Sequence, residues 1–298
     1  MGYEYLDGPT RRNAPADLVL QGCERLGITA TDAPAAIITS DRDQPHYGLR
    51  KASIDVGGIH QGDRFGYKAT TAITYLPVAV AHGAEIRPDS MVHRIEQDAA
   101  GRVTGVVYLH EGVEYRQRCA ALVLAGGGIE TPRLLLNTGI ANSSGQVGRN
   151  FLAHGAVQVW GRFDESVRGY RGYPSAAITE DFVRPEGVDF AGGYLIQSLG
   201  VMPLTYATSL VRGGSLWGQD LMDALDAWQF SAGIGINGEC LPSDDNRLIL
   251  SDETDEWGIP RAEISFSPGP NEKAIDDHAV GIMTRILDAA GARETRVL

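Results

Sequence analysis

The chain has 298 residues, of which 43% are hydrophobic and 21% charged, a balance expected of a soluble globular protein with one large domain or two ordinary ones, and not of a disordered chain. Its formal charge of −12 repels phosphate backbones and anionic membrane surfaces, and no Lys/Arg block offsets it locally, which argues against nucleic acid as a partner. Cys23, Cys119 and Cys240 are few, odd in number and far apart, so neither a disulfide framework nor a metal knuckle is expected, and reduced thiols in a cytoplasm fit.

The N-terminal MGYEYLDGPTRRNAP has no apolar signal region, and Leu6 stands where a myristoylation signal needs Ser or Thr. No run reaches the length of a membrane span, so no membrane segment is expected, although a leader ahead of Met1 stays open. Pro15 to Leu26 places Val19, Cys23 and Leu26 on one helical face, with Pro15 in the first turn and Gly27 as C-cap. AAIIT, Ala35 to Thr39, is a small buried-strand candidate, and Ser40 to Gly66 reads as a long polar loop or insertion.

From Lys68 to His82 the spacing of Ile73, Leu76 and Val80 predicts a helix that Pro77 kinks and Gly83 stops. AEIR, SMVHRIEQ, RVTGVVYLH and VEYRQR then read as short strands joined by DAAG and EG turns, an antiparallel meander. ALVLAG is a continuous apolar run, as expected of a parallel strand covered on both faces. Beyond Phe151 longer alternating segments (AVQVWGRF, AGGYLIQS, QFSAGIGI, RLILS) predict a large antiparallel sheet. A helix from Asn271 to Ala290, with Ile275, Ala279, Ile282, Ile286 and Ala289 on one face, closes it.

Two glycine patterns invite a nucleotide reading. Gly233, Gly235 and Gly238 match G-x-G-x-x-G, but Glu-Cys-Leu-Pro follows instead of a helix, so no N-terminal amide cluster would face a pyrophosphate, and glycines in a closely packed strand are expected. LVLAGGGIETPRLLLNTG, Leu122 to Gly139, has better context: a strand to Ala125, a Gly126–Gly128 turn, and a helix with Pro132 in its first turn. On residue chemistry alone this is either a ligand site at a strand's carboxyl end or a joint whose glycines only permit tight packing.

AGGGIETPRLLLNTGIA resembles the second signature segment of the glucose-methanol-choline (GMC) family of flavin oxidoreductases, with Thr138 and Ala141 as mild departures. In order, GYKATTAITYLPVAVAHGAEIR, SMVHRIEQDAAGRVTGVVY, VGRNFLAH and GECLPSDDNRLILSDETDEWGIP resemble further family segments, and the nearest echo is the bacterial branch acting on sugars, sugar acids and related alcohols. The resemblance implies an α/β fold, α+β overall. Residues 1–152 would be a partial FAD/NAD(P)-binding Rossmann-like domain with a β-meander, lacking its first βαβ unit, and residues 153–298 an antiparallel-sheet substrate domain. It implies FAD as cofactor, a small-molecule alcohol or sugar as substrate, the backbone of Val92 at the adenine, and Ala125, Gly126 and Gly127 beside the cofactor. Val92 equally fits a plain core valine.

No catalytic residue is assigned. His154 falls on the histidine of the family's Asp-His segment, but Ala153 replaces the aspartate, leaving an imidazole without a carboxylate to fix its tautomer. Ser53 to Gly66 has no cysteine for an iron-sulfur cluster. His278 reads as part of a solvated helix face, and Ser243 to Glu256 lacks calcium-loop spacing. The family's first glycine turn and its catalytic His pair are absent, so these residues are expected to be an internal portion of a longer enzyme oxidising CH-OH groups with hydride transfer to flavin N5. The alternatives are a catalytically silent binding fragment and a nicotinamide-dependent dehydrogenase, the latter lacking its acidic residue after a glycine turn.

Overall fold

A computed structural model describes residues 12–54, 57–212 and 216–298, so most of the N-terminal stretch read for a leader, MGYEYLDGPTR, lies outside the described residues. The first helix, α1 (Ala14–Leu26), starts where Asn13 Oδ1 accepts the Ala16 N–H at 3.0 Å, and it ends at Gly27, whose φ of 70° only glycine adopts without cost. Then come β1 (Thr31–Asp32), the β2 (Arg42–Gln44) and β3 (Gly48–Arg50) hairpin, and two short helices, α2 (Thr71–Thr74) and α3 (Leu76–Ala81). The single kinked helix expected over 68–82 is therefore two: the break falls at Tyr75, and Pro77 sits in the first turn of the second helix, where its missing donor costs nothing.

The meander follows as β4 (Met91–Gln97), β5 (Val103–His110) and β6 (Val113–Arg118). AEIR is not a strand; Pro88 has no N–H to offer a ladder, Asp89 turns with φ 52°, and Arg87 pairs with Glu85 at 2.6 Å. Next is α4 (Gly127–Thr138), which begins four residues before Thr131, so Pro132 lies inside it and removes the bond that would reach back to Gly128. The remaining elements are β7 (Gln158–Arg162), β8 (Ala177–Thr179), β9 (Tyr194–Leu199), α5 (Pro203–Val211), α6 (Gly218–Asp226), β10 (Ser231–Gly238), β11 (Arg247–Thr254), β12 (Pro260–Ser265), α7 (Pro270–Ala290) and β13 (Glu294–Val297).

Contacts divide the chain into two units. One holds the described residues up to Ala84 with His154–Glu239 and Pro270–Leu298, and the other holds Glu85–Ala153 and Cys240–Gly269. Each is thus built from segments on both sides of residue 152.

In the first unit a six-stranded sheet runs β1-β8-β9-β10-β7-β13 with every neighbour antiparallel. Alternation along β9 and β10 sends Tyr194, Ile196, Ala232, Ile234 and Ile236 to one face, where α1 and α7 cover them. The buried stripe of α7 is Ile275, Ala279, Met283, Ile286, Leu287 and Ala290; Ile282 and Ala289, expected inside, are only half-buried. On the opposite face Trp160, Tyr206 and Leu210 form a second cluster under α5 and α6.

The glycines of the G-x-G-x-x-G match lie in β10, as expected of a packed strand. A Cβ at Gly233 would stand 2.7 Å from the Trp160 ring, and one at Gly235 3.0 Å from Leu199.

In the second unit α4 lies along the meander, and the hairpin β11–β12 packs on α4. The outer edge of β4 is closed by the end of the helix: Asn137 Nδ2 donates to the His93 carbonyl at 2.8 Å, and the Ile95 N–H donates to Thr138 Oγ1 at 3.3 Å. Leu122 to Leu124, expected as a parallel strand, joins no ladder among the described residues; Leu122 and Leu124 are half-buried and Val123 is 86% exposed.

Candidate functional site

The second unit contains a largely apolar cavity of about 330 Å³ between β4, the run Leu122–Gly126, α4 and the turn of the β11–β12 hairpin. Val92, Ala125 and Gly126, more than thirty residues apart in part, line it together. Gly127 is not in the lining; it is the first residue of α4, at φ 74°, with nothing within 4 Å of an added Cβ.

A bulge shapes the wall contributed by β4. Val92 pairs with Tyr108 but Arg94 pairs with Val107, so His93 is an extra residue and both Val92 and His93 border the cavity, which regular alternation would forbid. His93 Nε2 is buried without a hydrogen-bond partner, 3.5 Å from Glu114 Oε2. Leu122 and Leu124 supply apolar surface opposite, and the N-terminus of α4 has no side-chain cap at Gly126.

A part-buried ion pair borders the cavity. Arg133, whose side chain is 9% exposed, donates from Nη2 to Asp255 Oδ2 at 2.5 Å, from Nη1 to Glu130 Oε2 at 3.2 Å, and from Nε to the Pro260 carbonyl at 2.7 Å. Burial works against ionisation of Asp255, but the Arg133 bond and the N–H groups of Ile259 and Trp257 outweigh it and hold the carboxyl below its ordinary range. The acidic stretch 243–256 is thus structural at Asp255. It is structural at Asn246 too, which exchanges bonds with the Ser267 backbone at 3.1 and 2.8 Å.

The two histidines weighed from the sequence fall elsewhere. His154 is exposed. His278 does not lie on a solvated face: the hydroxyl of Tyr194, a residue 1% exposed, shares a hydrogen bond with His278 Nδ1 at 2.7 Å, and Phe182 and Phe190 meet the imidazole edge-on. Burial raises the Tyr194 phenol above its usual range, so the hydroxyl meets the imidazole in its neutral form. Tyr206 stacks at a tilt on Trp160, with centroids 4.8 Å apart, and Trp228 Nε1 donates to the Val201 carbonyl, so both belong to the sheet's second core. Sequence reasoning missed the Arg133–Asp255 and Tyr194–His278 pairs; only the D-x-W-G turn at 255–258 left a trace, as a side-chain-nucleated turn. Among the described residues no group of three or more His, Cys, Asp or Glu could hold a metal, and no helix is long and apolar enough to cross a membrane. Among the described residues Cys23, Cys119 and Cys240 form no disulfide.

Residues 7–156 match the family model described as GMC oxidoreductase. Among curated proteins the chain is 28% identical to the 2-methyl-1,2-propanediol dehydrogenase of Mycolicibacterium austroafricanum, over 87% of this chain and 49% of that protein. It is 31% identical to the fructose dehydrogenase large subunit of Gluconobacter japonicus, over 63% and 36%. It is 26% identical to the 6'''-hydroxyparomomycin C oxidase of Streptomyces lividus, over 99% and 53%. The fold is similar to a pyridoxine 4-oxidase from Mesorbium loti, with a TM-score of 0.54 at 14% identity, covering 95% of this chain and 52% of that one. The chain therefore spans roughly a third to a half of the length of the curated relatives named here.

Proposed function

Because the chain belongs to the GMC oxidoreductase family, we propose that it is part of an FAD-dependent oxidoreductase acting on the CH-OH group of a small alcohol, sugar or sugar acid. The relatives' names include a diol and a sugar, which supports that substrate class. The observation carrying the cofactor assignment is the convergence of Val92, Ala125 and Gly126 on one apolar cavity.

The walls suit a planar heteroaromatic ring. Leu122 and Leu124 offer apolar faces, and Val92 offers its edge at a bulge, where ladder pairing is locally disrupted. His93, whose Nε2 makes no hydrogen bond and lies 3.5 Å from Glu114 Oε2, adds a polar residue to the lining. Gly126 carries no side chain, and a Cβ there would stand 3.2 Å from Glu130 and Thr131 in the first turn of α4, both residues of the lining. In this reading the second unit holds the adenine end of FAD and the first unit carries the substrate-facing sheet. FAD, when bound, supplies a hydride acceptor at flavin N5. The chain's residues bind and orient it, and none is assigned as the proton acceptor.

The test is FAD binding by the purified chain, read by flavin fluorescence polarisation, with Gly126→Leu as the cavity-filling variant. Wild-type binding that falls at least about tenfold in the variant, with unchanged circular dichroism, is expected from loss of a buried face. No binding by the wild type, or equal binding by Gly126→Leu, overturns the assignment.

A further inference from the structure

We propose that Arg133 and Asp255 are positioning residues for the cavity: their ion pair fixes Ile259 in its wall and ties that wall to α4. The proposal rests on the reading of the cavity as a nucleotide site.

Ile259 is 7% exposed and lines the cavity, yet it comes from a hairpin turn, an element that ordinarily moves. Here the turn is held from within by Asp255. Its Oδ1 accepts the Trp257 and Ile259 N–H groups at 2.9 and 3.0 Å, its own N–H donates to the Ile259 carbonyl at 2.9 Å, and Gly258 completes the reversal at φ 75°. The guanidinium then grips the turn from outside. Arg133 Nε reaches the Pro260 carbonyl, while Nη2 reaches both the Ile259 carbonyl at 3.2 Å and Asp255 Oδ2. Both backbone polar groups of Ile259 are thus occupied by this pair.

The other end of the linkage is α4. Arg133 and Glu130 lie one helical turn apart and both border the cavity, and the same helix begins at the Gly126–Gly127 turn. A rigid helix, a planar fork and a side-chain-nucleated turn therefore connect two walls of one cavity. Lysine cannot replace the arginine here, because a point charge cannot bond two successive carbonyls and a carboxylate in one plane.

The experiment measures FAD affinity of the full chain as wild type, Arg133→Lys and Asp255→Asn, together with melting curves and hydrogen exchange of the 257–259 amides with and without FAD. Asp255→Asn keeps the Oδ1 acceptor of the turn and removes the charge. Expected are affinity losses of at least about tenfold in both variants at temperatures where both remain folded, and slower exchange of the 257–259 amides on FAD binding in the wild type, as linkage requires. A merely structural pair would lower the melting temperature and leave the affinity of the folded protein unchanged, which overturns the proposal. If Arg133→Lys does not fold, Asp255→Asn and the wild-type exchange decide, and exchange unaffected by FAD overturns it. Wild-type protein that binds no FAD sinks the cofactor reading and this proposal with it, whereas wild-type binding with unaltered variants sinks this proposal alone.

Discussion

At Gly22 helix α1 passes so close to α7 that a Cβ would collide with the Ile286 carbonyl oxygen, a backbone atom that cannot rotate away. Gly22→Ala is therefore expected to destabilise the chain by about 1–3 kcal/mol, an overpacking cost measurable by urea unfolding. Asp276 gives a prediction of the opposite sign. Burial first, and then the neighbouring Asp277, raise its carboxyl above the ordinary range, and its Oδ1 is buried without a partner. A folded-state value above the unfolded one means that stability is fully present below the unfolded pKa and is lost as pH rises through the folded one. Asp276→Asn should therefore raise the melting temperature at neutral pH and have no effect near pH 3, where both states carry the neutral acid; an unchanged difference across that range would refute the account. At this scale the sequence was legible where a residue's neighbours in sequence decide its fate, as at Gly27 and at Gly233 in its strand. It was silent where partners lie far apart, as for His278 with Tyr194, 84 positions away.

Among the elements, α1 was readable to within a residue because its signals are local: proline in the first turn, an apolar face, glycine at the end. Asn13→Ala should cost about 1 kcal/mol through loss of the N-cap, seen as a lowered melting temperature with unaltered native circular dichroism. The three meander strands were equally plain, since their turns carry Asp98–Gly101 and Glu111–Gly112 chemistry between alternating runs. AEIR failed because strand propensity says nothing about whether a partner exists, and Pro88 ends the run. The bulge at His93, which shapes the candidate site, left no mark in the residues at all, because it depends on which residue of β5 each residue of β4 meets.

For the whole molecule, the interleaving of the two units was the least legible feature. A change of texture near Phe151 suggests one cut, but α1 belongs with α7, and α4 belongs with a hairpin more than a hundred residues later. Such long-range pairings depend on topology and are not written in local pattern. Pieces comprising residues 1–152 and 153–298, expressed separately, should each fail to melt cooperatively, since the cut parts α1 from α7 and Arg133 from Asp255. Calorimetry of the two pieces checks this, and a sharp transition in either one counts against it.

The placement of Cys23 turns the chain into its own chemical clock. It lies fully buried on α1 in the core shared with α7, and burial, followed by the charge of Asp181, pushes its thiol up to about 11. At pH 8 roughly a thousandth of such thiols is ionised, and alkylating reagents react with the thiolate alone. In a variant with Cys119 and Cys240 changed to serine, the rate of iodoacetamide labelling would report the fraction of molecules in which the core around Cys23 stands open, with no probe built into the protein.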